Sequence, residues 1–325
     1  MAIKINSGMS QFNIVESDET YILKKNATRE VDGGNGLFAD ENVSDVKLNI
    51  LGDIIQTGSG FAAIRTDAEN MTINIAAGAK VTGDTGILSE GFEPSSRLKV
   101  TVDGVLDAGN GYAIMTADSK DIIVNNGNIV GKVHLGSGND IFDNRDGKMN
   151  RNVEGGTGDD TLIVDNAKNK LIENGGSAGY DTVKSEVSYT LSENVERLIL
   201  LGKANINGKG NDDQSDMYGN RGNNKLYGYD GVDILDGKQG NDKLFGGDDA
   251  DRFVFKTGYG RDTIMDFENG TDRIDLRKWN AIDNFQDVKD HLSSSNGDLF
   301  ITVGHDVLRI NDTKANQLDA GDFMF

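Results

Sequence analysis

Between residues 210 and 254 one nine-residue pattern returns in phase: GNRGNNKLY (219–227), GYDGVDILD (228–236), GKQGNDKLF (237–245) and GGDDADRFV (246–254), preceded by the worn unit GNDDQSDMY (210–218). Position six holds Asn224, Asp233, Asp242 and Asp251, position eight holds Leu226, Leu235, Leu244 and Phe253, and position four holds Gly222, Gly231, Gly240 and Asp249. Few folds accommodate such a period. Six residues make a turn, in which glycine supplies positive φ and close approach, and three make a short strand with one apolar residue pointing inward. Two units close one coil of eighteen residues, and successive coils stack as parallel strands about 4.8 Å apart. The position-six carboxylates of neighbouring coils then face each other and repel. A hard dication removes that repulsion, and calcium takes six to eight oxygens drawn from carboxylates and carbonyls.

The pattern resembles the GGxGxDxUx nonapeptide of the RTX family. The resemblance implies calcium sites in which one turn offers the carbonyls of positions two and four with the position-six carboxylate, and the turn one coil later offers positions one, three and six. Carried onto this chain, one site joins Tyr229, Gly231 and Asp233 to Gly246, Asp248 and Asp251. Another joins Asn220, Gly222 and Asn224 to Gly237, Gln239 and Asp242. Asn224 is neutral, which implies a weaker site, and Ser215 puts the first coil further from the pattern.

A looser block lies upstream. LGSGNDIFD (135–143), GGTGDDTLI (155–163) and GSAGYDTVK (176–184) place Asp140, Asp160 and Asp181 at position six, 20 and 21 residues apart. The same carry-over makes Gly136, Gly138 and Asp140, then Gly155, Gly156, Thr157, Gly158 and Asp160, then Asp181 further candidate ligands. Before them the segments 48–58, 73–83, 100–109 and 122–131 repeat an alternating β-branched strand, a glycine and a second short strand, with anchors Ile50, Ile75, Val102 and Val124 spaced by 25, 27 and 22 residues. That spacing predicts a parallel β-helix and is similar to the repeats of secreted bacterial β-helix proteins.

The expected fold is therefore all-β: a right-handed parallel β-helix over 1–132, degenerate RTX-like coils over 133–184, a connector over 185–209, a calcium-binding β-roll over 210–256, and a cap with a secretion tail over 257–325. Within the last region, GRDTIMDFENGTDRIDLRKW resembles the segment that caps RTX rolls, with Asp262 a further candidate ligand. Ile282, Phe285, Val288 and Leu292 share one face of a short amphipathic helix predicted at 281–292. A cap is needed because a solenoid end otherwise exposes unpaired strand groups.

Charge narrows the partners. With 53 acidic and 33 basic residues the net charge is −20, which argues against nucleic acid. No cysteine is present, so disulfides and thiolate metal sites are excluded. The start of the chain has no apolar core of signal-peptide length, and no apolar run is long enough to span a bilayer. The final Asp322-Phe323-Met324-Phe325 resembles the acidic-then-apolar ending of RTX proteins exported by type I secretion. The resemblance implies secretion by that apparatus with the roll unfolded, because calcium is scarce inside the cell and the net charge opposes compaction. Folding then follows outside, where calcium binds the folded state alone.

Catalytic constellations are sparse. His134, His291 and His305 form no HExxH. GGSAG (175–179) matches GxSxG around Ser177 but sits in a nonapeptide turn rather than a strand-to-helix elbow. Tyr112, Arg65 and Arg97 lie in the β-helix region without a basic cluster. The expectation is a non-enzymatic, calcium-binding extracellular structural protein, of surface-layer, filament or adhesin type, forming a homo-oligomer or polymer. A cell-surface polysaccharide is a candidate partner, and the alternative is a carbohydrate-active β-helix enzyme, a lyase or epimerase, with an RTX secretion module.

Overall fold

The structure is a computed structural model that describes residues 2–4, 12–14, 16, 19–25, 28–32, 34–90, 97–174 and 179–325. It divides into two compact units, residues 1–181 and 182–325. Both are parallel β-solenoids, and among the described residues the one α-helix is Phe285–Asp290.

In the first unit each coil carries up to three short strands. One wall stacks Ala2–Lys4, Thr20–Leu23, Lys47–Ile50, Met71–Ile75, Leu98–Val102, Ile122–Asn125, Ile141–Asn144 and Thr161–Val164, all in parallel register. Two further rows, through Asp53–Gln56 and Lys80–Thr82 and through Ala62–Thr66 and Thr85–Ser89, merge at the long strand Val105–Met115. Leu48, Ile73, Val100, Ile123, Phe142 and Leu162 are successive register partners, all fully buried. Each such side chain contributes about 1.5–3 kcal/mol by leaving water. Along this ladder the coil shortens from 25 and 27 residues to 23, 19 and 20.

One expected anchor is displaced. Val102 pairs with Asn125, not with Val124, so Asn125 points inward and Val124 outward. A buried amide is tolerated there because its hydrogen bonds are made within the stack. Asn125 Nδ2 donates to Asn144 Oδ1 at 2.6 Å and to the Lys148 carbonyl at 3.1 Å, while Asn125 Oδ1 accepts from Gly127 N. Asn144 Nδ2 continues the row to Asn169 Oδ1 at 3.1 Å.

The second unit has two walls. One runs Thr182–Ser185, Arg197–Leu200, Asp216–Tyr218, Ile234–Asp236, Arg252–Lys256, Arg273–Lys278 and Phe323–Met324. The other runs Tyr189–Thr190, Gly208–Lys209, Lys225–Tyr229, Lys243–Gly247, Arg261–Ile264 and Asp306–Ile310. Leu226, Leu235, Leu244 and Phe253 are fully buried between the walls, as position eight of the nonapeptide requires. Leu235 pairs with Met217 and Phe253 18 residues away on either side, and Leu226 pairs with Leu244 at the same interval.

The end of this unit is closed by the antiparallel strands Leu292–Ser295, Asp298–Val303 and Asp306–Ile310. The helix is shorter than the apolar spacing suggested, with Asn284 as N-cap, and Leu292 begins a strand instead. Ile282 and Val288 are nonetheless buried. The chain's last strand, Phe323–Met324, lies beside Ile274–Asp275, so the apolar tail is part of the cap.

Candidate metal centres

The position-six aspartates form ladders along the stacked turns. In the second unit, Asp233 Oδ1 accepts from Ser215 N at 2.7 Å, Asp251 Oδ1 from Asp233 N at 2.9 Å, and Asp272 Oδ1 from Asp251 N at 3.0 Å. On the other side Asp242 Oδ1 accepts from Asn224 N at 2.7 Å and Asp262 Oδ1 from Asp242 N at 2.9 Å. In the first unit Asp140 serves Asp121 N at 2.7 Å, Asp160 serves Asp140 N and Asp181 serves Asp160 N, both at 2.8 Å. One carboxylate oxygen thus replaces the strand-type partner that the tight turn cannot offer. The second oxygens of Asp121, Asp140, Asp160, Asp233, Asp242 and Asp251 are buried without a hydrogen bond among the described residues.

Burial penalises the charged form. It pushes Asp140 up to about 9, Asp233 and Asp262 to about 8, Asp160, Asp242 and Asp251 to about 7, and Asp272 to about 6. Neighbouring aspartates add to the shift for all of these, as Asp251 does for Asp233. Chains of buried carboxyls at these positions need either protons or a cation.

The position-one glycines show which oxygens come close together. A Cβ on Gly228 would stand 2.0 Å from Asp233 Oδ2 and 2.5 Å from the Gly246 carbonyl oxygen. The carboxylate of one turn and the position-one carbonyl of the next therefore converge on the same space, as the resemblance implied for Asp233 and Gly246. At Gly237 and Gly246 a Cβ would stand 2.5 Å from Asp242 Oδ2 and 2.1 Å from Asp251 Oδ2. Oxygen donors, a hard carboxylate and a neutral carbonyl that converge beside a glycine, suit calcium.

The turn backbones agree with this division. Tyr229, Lys238 and Gly247 at position two, and Gly231, Gly240 and Asp249 at position four, all have positive φ, as do Gly136, Gly138, Gly156, Gly158 and Gly179 in the first unit. Stacked turns bond directly: Asp248 N donates to the Tyr229 carbonyl at 2.9 Å, and Gly231 N to Asp249 Oδ2 at 3.2 Å. Thr157 N donates to the Gly136 carbonyl at 2.9 Å and Gly138 N to the Thr157 carbonyl at 2.8 Å. The carried-over set of Tyr229, Gly231, Asp233, Gly246, Asp248 and Asp251 is thus brought together, and so are Gly136, Gly138 and Asp140 with Gly155, Gly156, Thr157, Gly158 and Asp160.

The turn 219–224 differs. Neither Asn220 nor Gly222 has positive φ. Asn224 Nδ2 donates to the Ile206 carbonyl at 2.6 Å and Asn220 Oδ1 at 3.1 Å, and Asn224 Oδ1 accepts from Asn220 N. Asn220 Nδ2 reaches the Leu201 and Ala204 carbonyls at 2.8 and 3.1 Å. Asn211, one nonapeptide unit earlier, repeats this with Ser192 and Val195 at 2.7 and 3.1 Å. Amide N–H groups here do what a cation does elsewhere. A Cβ on Gly219 would still lie between the Gly237 carbonyl and Asn224 Oδ1, at 2.3 and 2.6 Å, so Gly237 and Asn224 do face each other. Asp242 retains its own orphaned oxygen, whereas Gln239 is exposed in the same turn.

Asp121 and Asp272 are rungs that the nonapeptide frame misses, because neither sits in a glycine-rich turn. Their intervals, 19 residues before Asp140 and 21 after Asp251, are the signal that finds them. Ser177 lies outside the described residues. Lys132 lies over the Tyr112 ring at 5.3 Å and Arg65 over the Phe38 ring at 5.5 Å, and a further group of basic and aromatic residues lies in the second unit. A groove of about 410 Å³ is lined by Tyr218, Asp236, Arg252, Lys256, Asp275 and Arg277, among others.

Comparison with known proteins follows the same lines. Residues 209–244 and 228–261 match the family model for RTX calcium-binding nonapeptide repeats. The endo-1,3-1,4-beta-glycanase EglC of Rhizobium meliloti (strain 1021) is 34% identical over 179 residues, which is 55% of this chain and 36% of that protein. The chain therefore spans little more than a third of that relative. The extracellular lipase LipA of Serratia marcescens aligns at 17% identity over 66% of this chain and 41% of its own, with a TM-score of 0.26, a likeness too slight to bear on fold or function. The chain is a β-solenoid that carries RTX calcium-binding repeats.

Proposed function

We propose that this is a secreted structural protein whose roll folds on calcium after export and whose solenoid then self-associates at the cell surface or in the extracellular matrix. The observation that carries the reading is the row of buried, hydrogen-bond-free carboxylate oxygens at Asp233, Asp242 and Asp251, each against a position-one glycine. Calcium, when bound, neutralises these carboxylates. Asp233, Asp251 and the Gly246 carbonyl, and Asp242 with Asp262, are the residues that hold it in the second unit. Asp140, Asp160 and Asp181 hold it in the first. The chain's own contribution is to keep these oxygens aimed and dry, through the Oδ1 ladder and the glycine turns. Without the ion, a net charge of −20 and unpaired acids oppose folding, which suits passage through a type I exporter.

Circular dichroism of the whole chain in chelator and in calcium tests the folding step. Loss of β-structure in chelator and its recovery in calcium are expected, and an unchanged spectrum defeats the reading. Calcium-dependent polymers by size-exclusion chromatography and electron microscopy test self-association.

The glycanase relative motivates a carbohydrate-active alternative, with the groove at Tyr218 and Asp236 as its site. Two contacts favour the structural reading. Arg277 holds Asp275 below the usual carboxylate range despite its burial, and Lys256 Nζ lies 3.0 Å from Asp236 Oδ2. Asp275, held low in this way, is poorly placed to give up or take a proton near neutral pH, and Lys256 occupies Asp236 Oδ2. Release of reducing ends from mixed-linkage β-glucan by the calcium-loaded chain would decide for the enzyme.

A further inference from the structure

The first unit contains a carboxylate that the repeat does not provide. Glu173 follows the short strand Leu171–Ile172, on a different wall from the strands that Asp160 and Asp181 precede. Its side chain is buried and turns back to the nonapeptide turn, where Oε2 accepts from Gly156 N at 3.2 Å. Asp160, Glu173 and Asp181 each offer an oxygen, and the three oxygens lie within 4.8 Å of one another.

Two observations point from this cluster to a bound ion. Asp160 is 1% exposed, and its Oδ2 has no hydrogen bond. That oxygen also points at the same space as Glu173: a Cβ on Gly155 would stand 2.5 Å from Asp160 Oδ2 and 2.1 Å from Glu173 Oε1. The arrangement repeats the one at Gly228, where Asp233 Oδ2 and the Gly246 carbonyl oxygen converge. Glu173 thus puts a carboxylate where the roll puts a neutral carbonyl.

We infer that Asp160, Glu173 and Asp181 form a tri-carboxylate site for a hard divalent cation, calcium, and that Glu173 is a ligand from outside the nonapeptide pattern. Site affinity for calcium rises with the number of charged ligands, so this site binds more tightly than the two-aspartate turns of the second unit. It fills first, at calcium levels that leave the roll empty. The inference rests on the proposed function for the ion and for Asp160 and Asp181, and adds Glu173.

Isothermal titration of the chelator-stripped whole chain with calcium chloride tests it, with Glu173→Gln and Asp233→Asn alongside the wild type. The wild type is expected to show one tight site ahead of weaker ones. Glu173→Gln loses that site or weakens it at least tenfold and leaves the weaker class in place. Asp233→Asn keeps the tight site and loses weak binding. An unchanged tight site in Glu173→Gln overturns the assignment, as does its loss in Asp233→Asn alone. If Glu173→Gln does not fold, Glu173→Asp keeps the charge one methylene short. An affinity below wild type then supports the ligand role, and wild-type affinity overturns it. Should the roll bind no calcium, the tight site and its dependence on Glu173 remain, so the two readings fail separately.

Discussion

Asp233→Asn separates the two things that calcium does in the roll. In chelator the wild-type carboxyl is a burden. Its pKa is pushed up to about 8 from an ordinary 3.8, because the side chain is buried and Asp251 and Asp216 lie nearby. The unfolded chain has lost this proton by pH 8, whereas the folded chain must keep it or bury the charge. At about 1.4 kcal/mol per pKa unit the cost at pH 8 is of order 5 kcal/mol, and roughly 2–5 kcal/mol once relaxation is allowed for. An amide does not titrate. Its oxygen keeps the bond from Ser215 N, and its nitrogen, standing where Asp233 Oδ2 stood, faces the Gly246 carbonyl. In chelator the variant is therefore more stable than wild type by about 2–5 kcal/mol. The stabilisation gained from calcium falls in exchange. For a site with a dissociation constant near ~10⁻⁴ M, ~10 mM calcium adds about 2.7 kcal/mol, and the variant forgoes this for each site it loses. Folding equilibria followed by Trp279, the chain's single tryptophan and buried in the second unit, measure both quantities: urea titration in calcium and, in chelator, titration with a protecting osmolyte that restores the fold. A variant less stable than wild type in chelator, or one with an undiminished calcium increment, refutes the reasoning.

Four further outcomes follow from the same geometry. In chelator, stability of both units falls as pH rises: the raised carboxyls hold protons that the unfolded chain releases near ~4, so the full contribution is present below that pH and is lost as pH climbs through about 6 to 9, as urea midpoints across this range will show. Calcium binding near pH 7 correspondingly releases protons, measurable as a buffer-dependent heat. Gly246→Ala removes no ligand but puts a methyl 2.1 Å from Asp251 Oδ2, and calcium affinity in the roll is expected to fall at least tenfold, about 1.4 kcal/mol, by titration. Leu235→Ala opens the wall-to-wall core and costs about 2–5 kcal/mol in calcium and chelator alike, so a loss confined to one condition would contradict its role as packing.

The roll was legible because its signal is periodic and redundant. A turn of six and a strand of three leave glycine, aspartate and leucine at fixed offsets, and the buried Leu226, Leu235, Leu244 and Phe253 stand where the offsets put them. The β-helix was legible for the same reason, through its alternating strands, but its register was not. Val124 and Asn125 both suit a strand, and a hydropathy pattern prefers the valine inside. The structure turns the asparagine in because a row of amides bonds to itself along the stack, a long-range gain that no local pattern displays. The same blindness hid Glu173. Nothing near it in sequence marks a ligand, and only the coil that returns it to Gly155 and Gly156 does so.

The stacking of coils poses one recurring problem, and the chain meets it in two ways. Each tight turn leaves backbone groups that the strand ladder does not reach. Where an asparagine stands, as at Asn211, Asn220 and Asn224, the side chain brings its own donors and the turn closes alone. Where an aspartate stands, one oxygen accepts from the neighbouring backbone and the other is left over, buried and charged unless it holds a proton or meets a cation. The two residues differ by a single group, NH₂ against O, yet one makes a turn indifferent to calcium and the other makes a turn dependent on it. Calcium dependence is therefore a local property, set turn by turn. The asparagine-closed coils at 210–224 abut the first aspartate turns of the roll, since Ser215 N donates to Asp233 and Asn224 N to Asp242.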